Sequence, residues 1–414
     1  MKSDLDTLMH RHGFDVILVS GASQHNPAMV YFTGGGHISG SDLIKIRGAE
    51  AVLFHNPMER DEAVRTGLKT ISYSKYPWVE LVKEAGGDDL EALVLRFQKM
   101  FTDLGILSGK VAVYGFEDVG MFYSILSQLQ KKMPDLVFEG FARDEVLLNA
   151  RMTKDLDEIE RIRQMGKITI DVVGKTADFL TGHRTRKGLL VQKNGAPLLI
   201  GDVKRKINLW LAEGGVENPW GTIFAIGRDA GVPHSCGTPC DAIRLGQTIV
   251  FDIYPCEAGG GYFYDFTRTW CLGYASDEIQ NLYADVKKVY DQIYAELVVN
   301  QPFYLLQKRT CDLFEEMGHP TVKSSPVTET GYVHSLGHGI GLQVHEKPWS
   351  TMVNPSPSDI LAPGSVFTLE PGLYYPEKGM GVRIEDSLLV TPQGRFEVLA
   401  EYSKELVLPM DLTN

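Results

Sequence analysis

His334-Ser335-Leu336-Gly337-His338-Gly339-Ile340-Gly341-Leu342-Gln343-Val344-His345-Glu346 places three of the chain's 11 histidines within twelve residues. Gly337, Gly339 and Gly341 break any helix, so the stretch reads as a glycine-laced loop or strand. Small residues at these points let backbone and ligand approach closely. One histidine alone reads as a packing residue; three around a Gly-x-Gly-x-Gly core read as a site. Imidazole serves metal ligation and proton transfer near neutral pH.

Acids stand on both sides of this stretch in a repeated pattern. Gly246-Gln-Thr-Ile-Val-Phe-Asp252 and Gly364-Ser-Val-Phe-Thr-Leu-Glu370 each run from a glycine through five mostly apolar residues to an acid. Each then turns through a glycine-containing stretch into a second acid-bearing strand, Tyr264-Asp265-Phe266-Thr267 and Arg383-Ile384-Glu385-Asp386. The matched acids lie 118 and 120 residues apart, which points to a duplicated unit with approximate two-fold symmetry. A carboxylate at the end of an apolar strand is costly unless a cation or donors compensate it. Four such acids on neighbouring strands repel one another, and divalent metal relieves that repulsion. Carboxylate-rich ligation with little nitrogen and no sulfur suits a pair of Mn, Fe, Co or Zn ions. Two such ions hold a hydroxide between them and make it nucleophilic at neutral pH. On chemistry alone, phosphodiester, amide and other hydrolyses all remain open.

The rest of the chain frames this site. Its 414 residues, at roughly 150 per domain, predict two or three domains. With 43% hydrophobic and 23% charged residues the composition is globular, which excludes a disordered tail protein. A net charge of −12 argues against nucleic acid or an anionic membrane as a partner. Five cysteines make no disulfide framework, and Cys236 and Cys240 lack the second pair that a structural zinc site needs. The N-terminal Met1-Lys2-Ser3-Asp4-Leu5-Asp6 is not a signal peptide, and no run approaches the ~20 apolar residues of a membrane span. The expectation is a cytoplasmic protein.

The first third alternates strand and helix patterns. Asp15–Ser20, Ala49–Phe54 and Val111–Tyr114 read as buried strands, and Asp89–Leu104 and Met121–Lys132 as helices. Gly34-Gly35-Gly36 is a turn without the following pattern of a phosphate loop. Near residue 150 the texture changes: Thr153–Leu180 is one long helical pattern with Leu156, Ile159, Ile162 and Met165 on one face. This predicts an α/β domain over 1–150 and, over 151–414, an α+β domain built largely from antiparallel strands with a helix at Asp277–Val298.

The string 334–348 resembles the signature of the M24 metallopeptidases, the pita-bread family of methionine aminopeptidase, aminopeptidase P and prolidase. Asp265-Phe266-Thr267-Arg268-Thr269, Leu369-Glu370-Pro371-Gly372 and Val382-Arg383-Ile384-Glu385-Asp386 match its other blocks in order. The N-terminal part is similar to the smaller domain of the Xaa-Pro peptidase subgroup and of creatinase. The resemblance implies a pita-bread catalytic domain behind an α/β domain, and a dinuclear hydrolase that uses a metal-bridging hydroxide on the N-terminal Xaa-Pro bond of short proline-containing peptides. It implies Asp252 on one metal, His338 and Glu370 on the other, and Asp265 and Glu385 bridging. Glu370 would relay the proton of the attacking water. His345 would donate to the substrate carbonyl, His234 would help orientation and proton handling, and His334 would line the substrate pocket. Arg383 would support Glu385 or bind substrate. Two divalent ions are implied, manganese first, with cobalt, zinc or iron fitting the same ligands. A homodimer is also implied.

Two departures stand out. Asp252 and Asp265 lie two positions further apart than is usual in the family, with extra glycine at 259–261; an even insertion keeps both side chains on one face. Trp349 follows Pro348 where many dipeptidases of the family carry an arginine for the substrate carboxylate, which leaves aminopeptidase P-like substrates open. A metal-dependent lyase or creatinase-like C–N hydrolase on the same fold is the alternative. A non-catalytic binding protein is a third reading, disfavoured by the intact ligand set.

Overall fold

The computed structural model describes residues 4–411. The chain divides into two compact units. One runs through Arg151 and takes in Gly259–Gly261; the other comprises Met152–Ala258 and the chain from Tyr262 onward.

The first unit is built on a sheet of six strands among the described residues: β1 (Val16–Gly21), β2 (Ser41–Ile46), β3 (Ala51–His55), β4 (Lys69–Ser72), β5 (Gly109–Phe116) and β6 (Leu136–Glu139). Their order is β4-β3-β2-β1-β5-β6. β1 runs parallel to β5 and antiparallel to β2, so the sheet is mixed. β1 is buried at every residue, as its unbroken apolar run requires. Helices α1 (Asp89–Asp103) and α2 (Val119–Lys132) start at Asp88 and Asp118, whose side chains accept the backbone N–H three residues on. Phe97, Met100 and Phe101 of α1 and Ile125 and Leu129 of α2 close a core with Val16, Leu18, Ile44 and Phe54. Gly34 ends the helix Pro27–Thr33 in the left-handed conformation, the turn that the glycine triplet predicts. Within this unit the His25 N–H donates to the Gly259 carbonyl at 2.9 Å.

The second unit opens with α3 (Leu156–Thr181). The helix starts three residues later than its apolar period predicts. Thr153 bridges to Ser365 and the Lys154 N–H donates to Gly364, so both are committed to the sheet edge. Glu158 then accepts the Asp155 N–H at 2.8 Å and caps the first turn. α4 (Ile200–Glu213) follows. Strands β7 (Thr222–Ile226), β8 (Ile249–Ile253) and β9 (Phe266–Leu272) then form an antiparallel ladder. Helices α5 (Asp277–Ala295) and α6 (Phe303–Glu316) come next. Further strands are β10 (His338–Gly339), β11 (Glu346–Trp349), β12 (Val366–Leu369), β13 (Gly372–Tyr375), β14 (Met380–Arg383), β15 (Asp386–Val390) and β16 (Phe396–Val398). They give a five-stranded antiparallel sheet, β11-β10-β12-β15-β16, and a separate β13-β14 ladder. The antiparallel α+β character expected of this part is what forms. The two hairpins read as an echo, β8-β9 and β12-β15, are both antiparallel pairs. They differ in their turns: the second carries the β13-β14 ladder. A single bridge, Thr267 to Glu385, joins the two hairpins. Among the described residues no helix is long and apolar enough to cross a membrane.

Candidate metal centre

Strand ends set the site. Asp252 is the fourth residue of β8 and Asp265 immediately precedes β9; Glu370 follows β12 and Glu385 lies between β14 and β15. His338 opens β10. The bridge between Thr267 and Glu385 brings the two hairpins side by side, so acids over 100 residues apart in sequence meet. His338 Nε2 lies 3.3 Å from Glu370 Oε1 and 3.8 Å from Asp265 Oδ2. One ligand atom from each of Asp265, His338 and Glu385 falls within 4.8 Å of the others, and all three residues are buried. Asp252 and Asp265 lie close enough for the charge of Asp252 to raise the Asp265 pKa.

The glycines explain why the histidine string has this form. A Cβ on Gly337 would lie 2.0 Å from the Thr368 carbonyl oxygen, and one on Gly339 would lie 1.8 Å from that of Lys347. Neither neighbour is a flexible side chain, so no larger residue fits beside His338. The His338 N–H donates to Thr368 Oγ1 at 3.1 Å, and that hydroxyl lies 3.3 Å from Glu370 Oε1. His338 Nδ1 sits 3.1 Å from the Gly339 carbonyl. Donation from Nδ1 to this carbonyl turns Nε2 toward the carboxylates, where its lone pair is free to bind a cation.

Electrostatics show what the cluster lacks. Burial pushes Asp265 and Glu385 far above the ordinary carboxylate range, and the negative charges around each raise it further: Asp252 and Glu370 for Asp265, Asp265 and Glu370 for Glu385. Burial raises Asp252 too, against the pull of the Arg383 guanidinium. Glu370 moves the other way. Burial alone would raise it, but the neighbouring His338, His334 and Arg383 hold it below its usual value. Asp252 Oδ1, Asp265 Oδ1 and Glu385 Oε1 are buried with no hydrogen-bond partner among the described residues. Unpaired buried carboxylate oxygens in like-charged company are costly. A hard or borderline divalent cation satisfies them all, and the donor set of carboxylates plus one imidazole fits it. Asp265→Asn is therefore expected to lower metal occupancy, measured by elemental analysis after reconstitution. Metal content equal to wild type would remove Asp265 from the ligand set.

Residues 160–392, more than half of the chain, match metallopeptidase family M24. The chain belongs to that family. M24 membership implies divalent metal, in keeping with the cluster. Among its relatives, the Xaa-Pro dipeptidase of Pyrococcus furiosus is 25% identical over 399 residues, covering 95% of this chain and 97% of the relative. The Xaa-Pro dipeptidase of Lactobacillus delbrueckii subsp. lactis is 26% identical over 422 residues, covering 98% of each. The X-Pro aminopeptidase structure from Thermotoga maritima superimposes with a TM-score of 0.73 at 24% identity, covering 96% of this chain and 99% of that one. These likenesses fix the architecture as the pita-bread fold in a two-domain layout.

The sequence reading has Arg383 supporting Glu385 or binding substrate. In this M24 chain its buried guanidinium pairs with Asp252, Nη2 to Oδ2 at 2.6 Å. Nη1 donates to Tyr374 Oη at 2.8 Å and to the Pro233 carbonyl at 3.3 Å, and Nε donates to Thr267 Oγ1 at 3.2 Å. Glu385 is reached only through Thr267, whose hydroxyl donates to Glu385 Oε2 at 2.7 Å. Tyr374 is missed by sequence reasoning. His334 Nδ1 faces the Ser335 carbonyl at 2.7 Å, so Nε2 accepts from the Tyr374 hydroxyl at 2.9 Å. The chain Asp252–Arg383–Tyr374–His334 thus ties one acid of the cluster to the histidine loop. The only sequence signal for Tyr374 is its place four residues after Glu370.

His345 stacks edge-on to His338 with ring centroids 4.3 Å apart. Partial desolvation and the neighbouring His338 lower its pKa, although the exposed ring lets water screen part of that shift. His334 is likewise lowered, chiefly by burial. His234 is exposed on the loop after the turn Asp229–Gly231, next to the Pro233 carbonyl that Arg383 holds. Beneath His345, Glu346 accepts the Gln343 N–H at 2.8 Å and pairs with buried Lys154 at 3.5 Å, which closes the turn that presents His345.

Proposed function

We propose that this M24 chain is a dinuclear metal-dependent hydrolase of the N-terminal Xaa-Pro bond of short peptides. The observation that carries this is the buried group of Asp265, His338 and Glu385, with buried Asp252 and half-buried Glu370 beside it and three carboxylate oxygens left unpaired. The names of the full-length relatives support the substrate class. On this reading residues 1–150 form the smaller α/β domain and 151–414 the catalytic domain. Asp252 holds one ion, His338 and Glu370 the other, and Asp265 and Glu385 serve both; manganese is the first candidate. When bound, the ions supply Lewis-acid activation of water and of the scissile carbonyl. The remaining chemistry belongs to side chains. Glu370 accepts the proton of the attacking water and passes it to the departing proline nitrogen. His345 donates to the oxygen that gains negative charge, where preorganised donors act most strongly. His334 and His234 border the substrate, while Arg383 holds Asp252 in place. All five ligand positions are present, so the metal-free creatinase-like alternative is not favoured.

The test uses protein stripped of metal and reloaded with Mn²⁺, offered Ala-Pro and Ala-Pro-Pro side by side. Cleavage before proline in either peptide is the expected result. Cleavage of the dipeptide places the chain with its dipeptidase relatives; cleavage of the tripeptide alone makes Trp349 a mark of the aminopeptidase branch. No cleavage of either by the loaded protein overturns the proposal.

A further inference from the structure

Helix α6 turns Phe303, Leu306, Thr310, Leu313 and Phe314 into an apolar core. Gln307 lies on the same buried face and is 2% exposed. Packing alone would favour leucine there, because an amide moved out of water without partners costs several kcal/mol, roughly 2–7. Gln307 has its partners, and they come from one place. Its Oε1 accepts from the Tyr332 hydroxyl at 2.7 Å and from the Leu336 N–H at 2.5 Å. Its Nε2 donates to the His334 carbonyl at 3.2 Å, with the Cys311 sulfur at 3.8 Å as a weak fourth contact. Three groups of the segment leading into His338 therefore rest on one side chain. The Leu336 peptide continues the connection, for its carbonyl accepts the Glu370 N–H at 2.9 Å. The His334 ring meets Tyr374 on the far side.

The geometry points to Gln307 as a positioning residue for the metal centre: it clamps the 332–336 segment and thereby sets where His338 and Glu370 stand relative to each other. This inference rests on the reading of His338 and Glu370 as metal ligands. Gln307 touches neither metal ligand and acts through the Leu336 peptide on both. Removing the clamp leaves the ligands in the chain but lets the loop drift, and a displacement of about 1 Å at a reacting centre costs on the order of 10²-fold in rate.

The experiment compares wild type with Gln307→Leu and Gln307→Glu, each stripped and reloaded with Co²⁺. Three quantities are read: the visible absorption of the bound cobalt, kcat against KM on the peptide that wild type cleaves, and the melting temperature. Gln307→Leu is expected to shift the cobalt band and lower kcat by about 30-fold or more, with KM within about threefold, three hydrogen bonds being lost at once. Gln307→Glu has the same shape, keeps the acceptor for Tyr332 and Leu336, and loses the donor to His334. It is expected to change the same two readouts in the same direction but less, and it serves if the leucine variant does not fold. A lower melting temperature with an unchanged cobalt band and unchanged kcat in both variants would make Gln307 a packing residue and overturn the inference. The cobalt band needs no substrate, so an enzyme that ignores Xaa-Pro peptides would sink the proposed substrate class while leaving this test intact.

Discussion

Glu370→Gln loses turnover by about 10²–10⁴-fold, the usual worth of a positioned proton-transfer group, and keeps the fold. Glu370 Oε1 sits 3.3 Å from His338 Nε2, and Thr368 Oγ1 lies 3.3 Å from the same oxygen. Glutamine matches it in shape and leaves its backbone bond to Leu336 intact, but it removes both the proton acceptor and one ligand charge. Loss of the charge also weakens metal binding, so metal content and kcat must be measured together. A variant that holds metal as wild type does and turns over within a few-fold of it would end the proton-relay role.

Asp386→Asn has the largest expected effect on stability, about 3–5 kcal/mol, because it strips one partner from a fully buried ion pair. Arg268 Nη2 meets Asp386 Oδ1 at 2.7 Å, and Lys404 Nζ meets Oδ2 at 2.6 Å. The Tyr290 hydroxyl donates to the same carboxylate at 2.5 Å. Arg268 spends its other donors on the carbonyls of Thr267, Glu385, Tyr402 and Ser403, so the pair also pins the backbone of Glu385. An asparagine would leave Arg268 buried without its counter-charge and would turn an amide donor toward other donors. Burial by itself would raise the Asp386 pKa, but Arg268 and Lys404 hold it below the ordinary value. A folded-state pKa lower than the unfolded one, about 3.9, gives stability that is fully present above that pH and is lost as pH falls through the folded value. The gap between wild type and variant in denaturant unfolding is therefore full at pH 7 and narrows below about pH 4. A gap under about 1 kcal/mol at pH 7, or one that does not narrow in acid, would contradict this account.

How much of this was legible in sequence follows from the range of each interaction. Asp252, Asp265, Glu370 and Glu385 could be read because each lies in or directly beside an apolar strand and the two hairpins repeat. The glycines around His338 could be read because the need for small residues is local. The two extra positions between Asp252 and Asp265 did not separate their carboxyls, since the added glycine turn leaves β8 and β9 in register. Arg383 was found, but its pairing with Asp252 was not. Its neighbour in sequence is Glu385, yet the β13-β14 ladder and the Thr267–Glu385 bridge carry its side chain to Asp252, 131 residues away. Gln307 left no signal at all: one polar residue on an amphipathic helix looks like any other until the loop it holds is seen. Thr153 was placed in a helix because its apolar period continues there, and the sheet edge at Ser365 won instead.

The central claim is that these five side chains form a centre for two divalent ions. Elemental analysis of the chain after stripping, reloading with Mn²⁺ and removal of excess metal tests it most directly. The account predicts about two ions per chain in wild type, with both peptide cleavage and the second ion lost on chelation. Protein that is folded yet retains less than one ion per chain after reloading would contradict it.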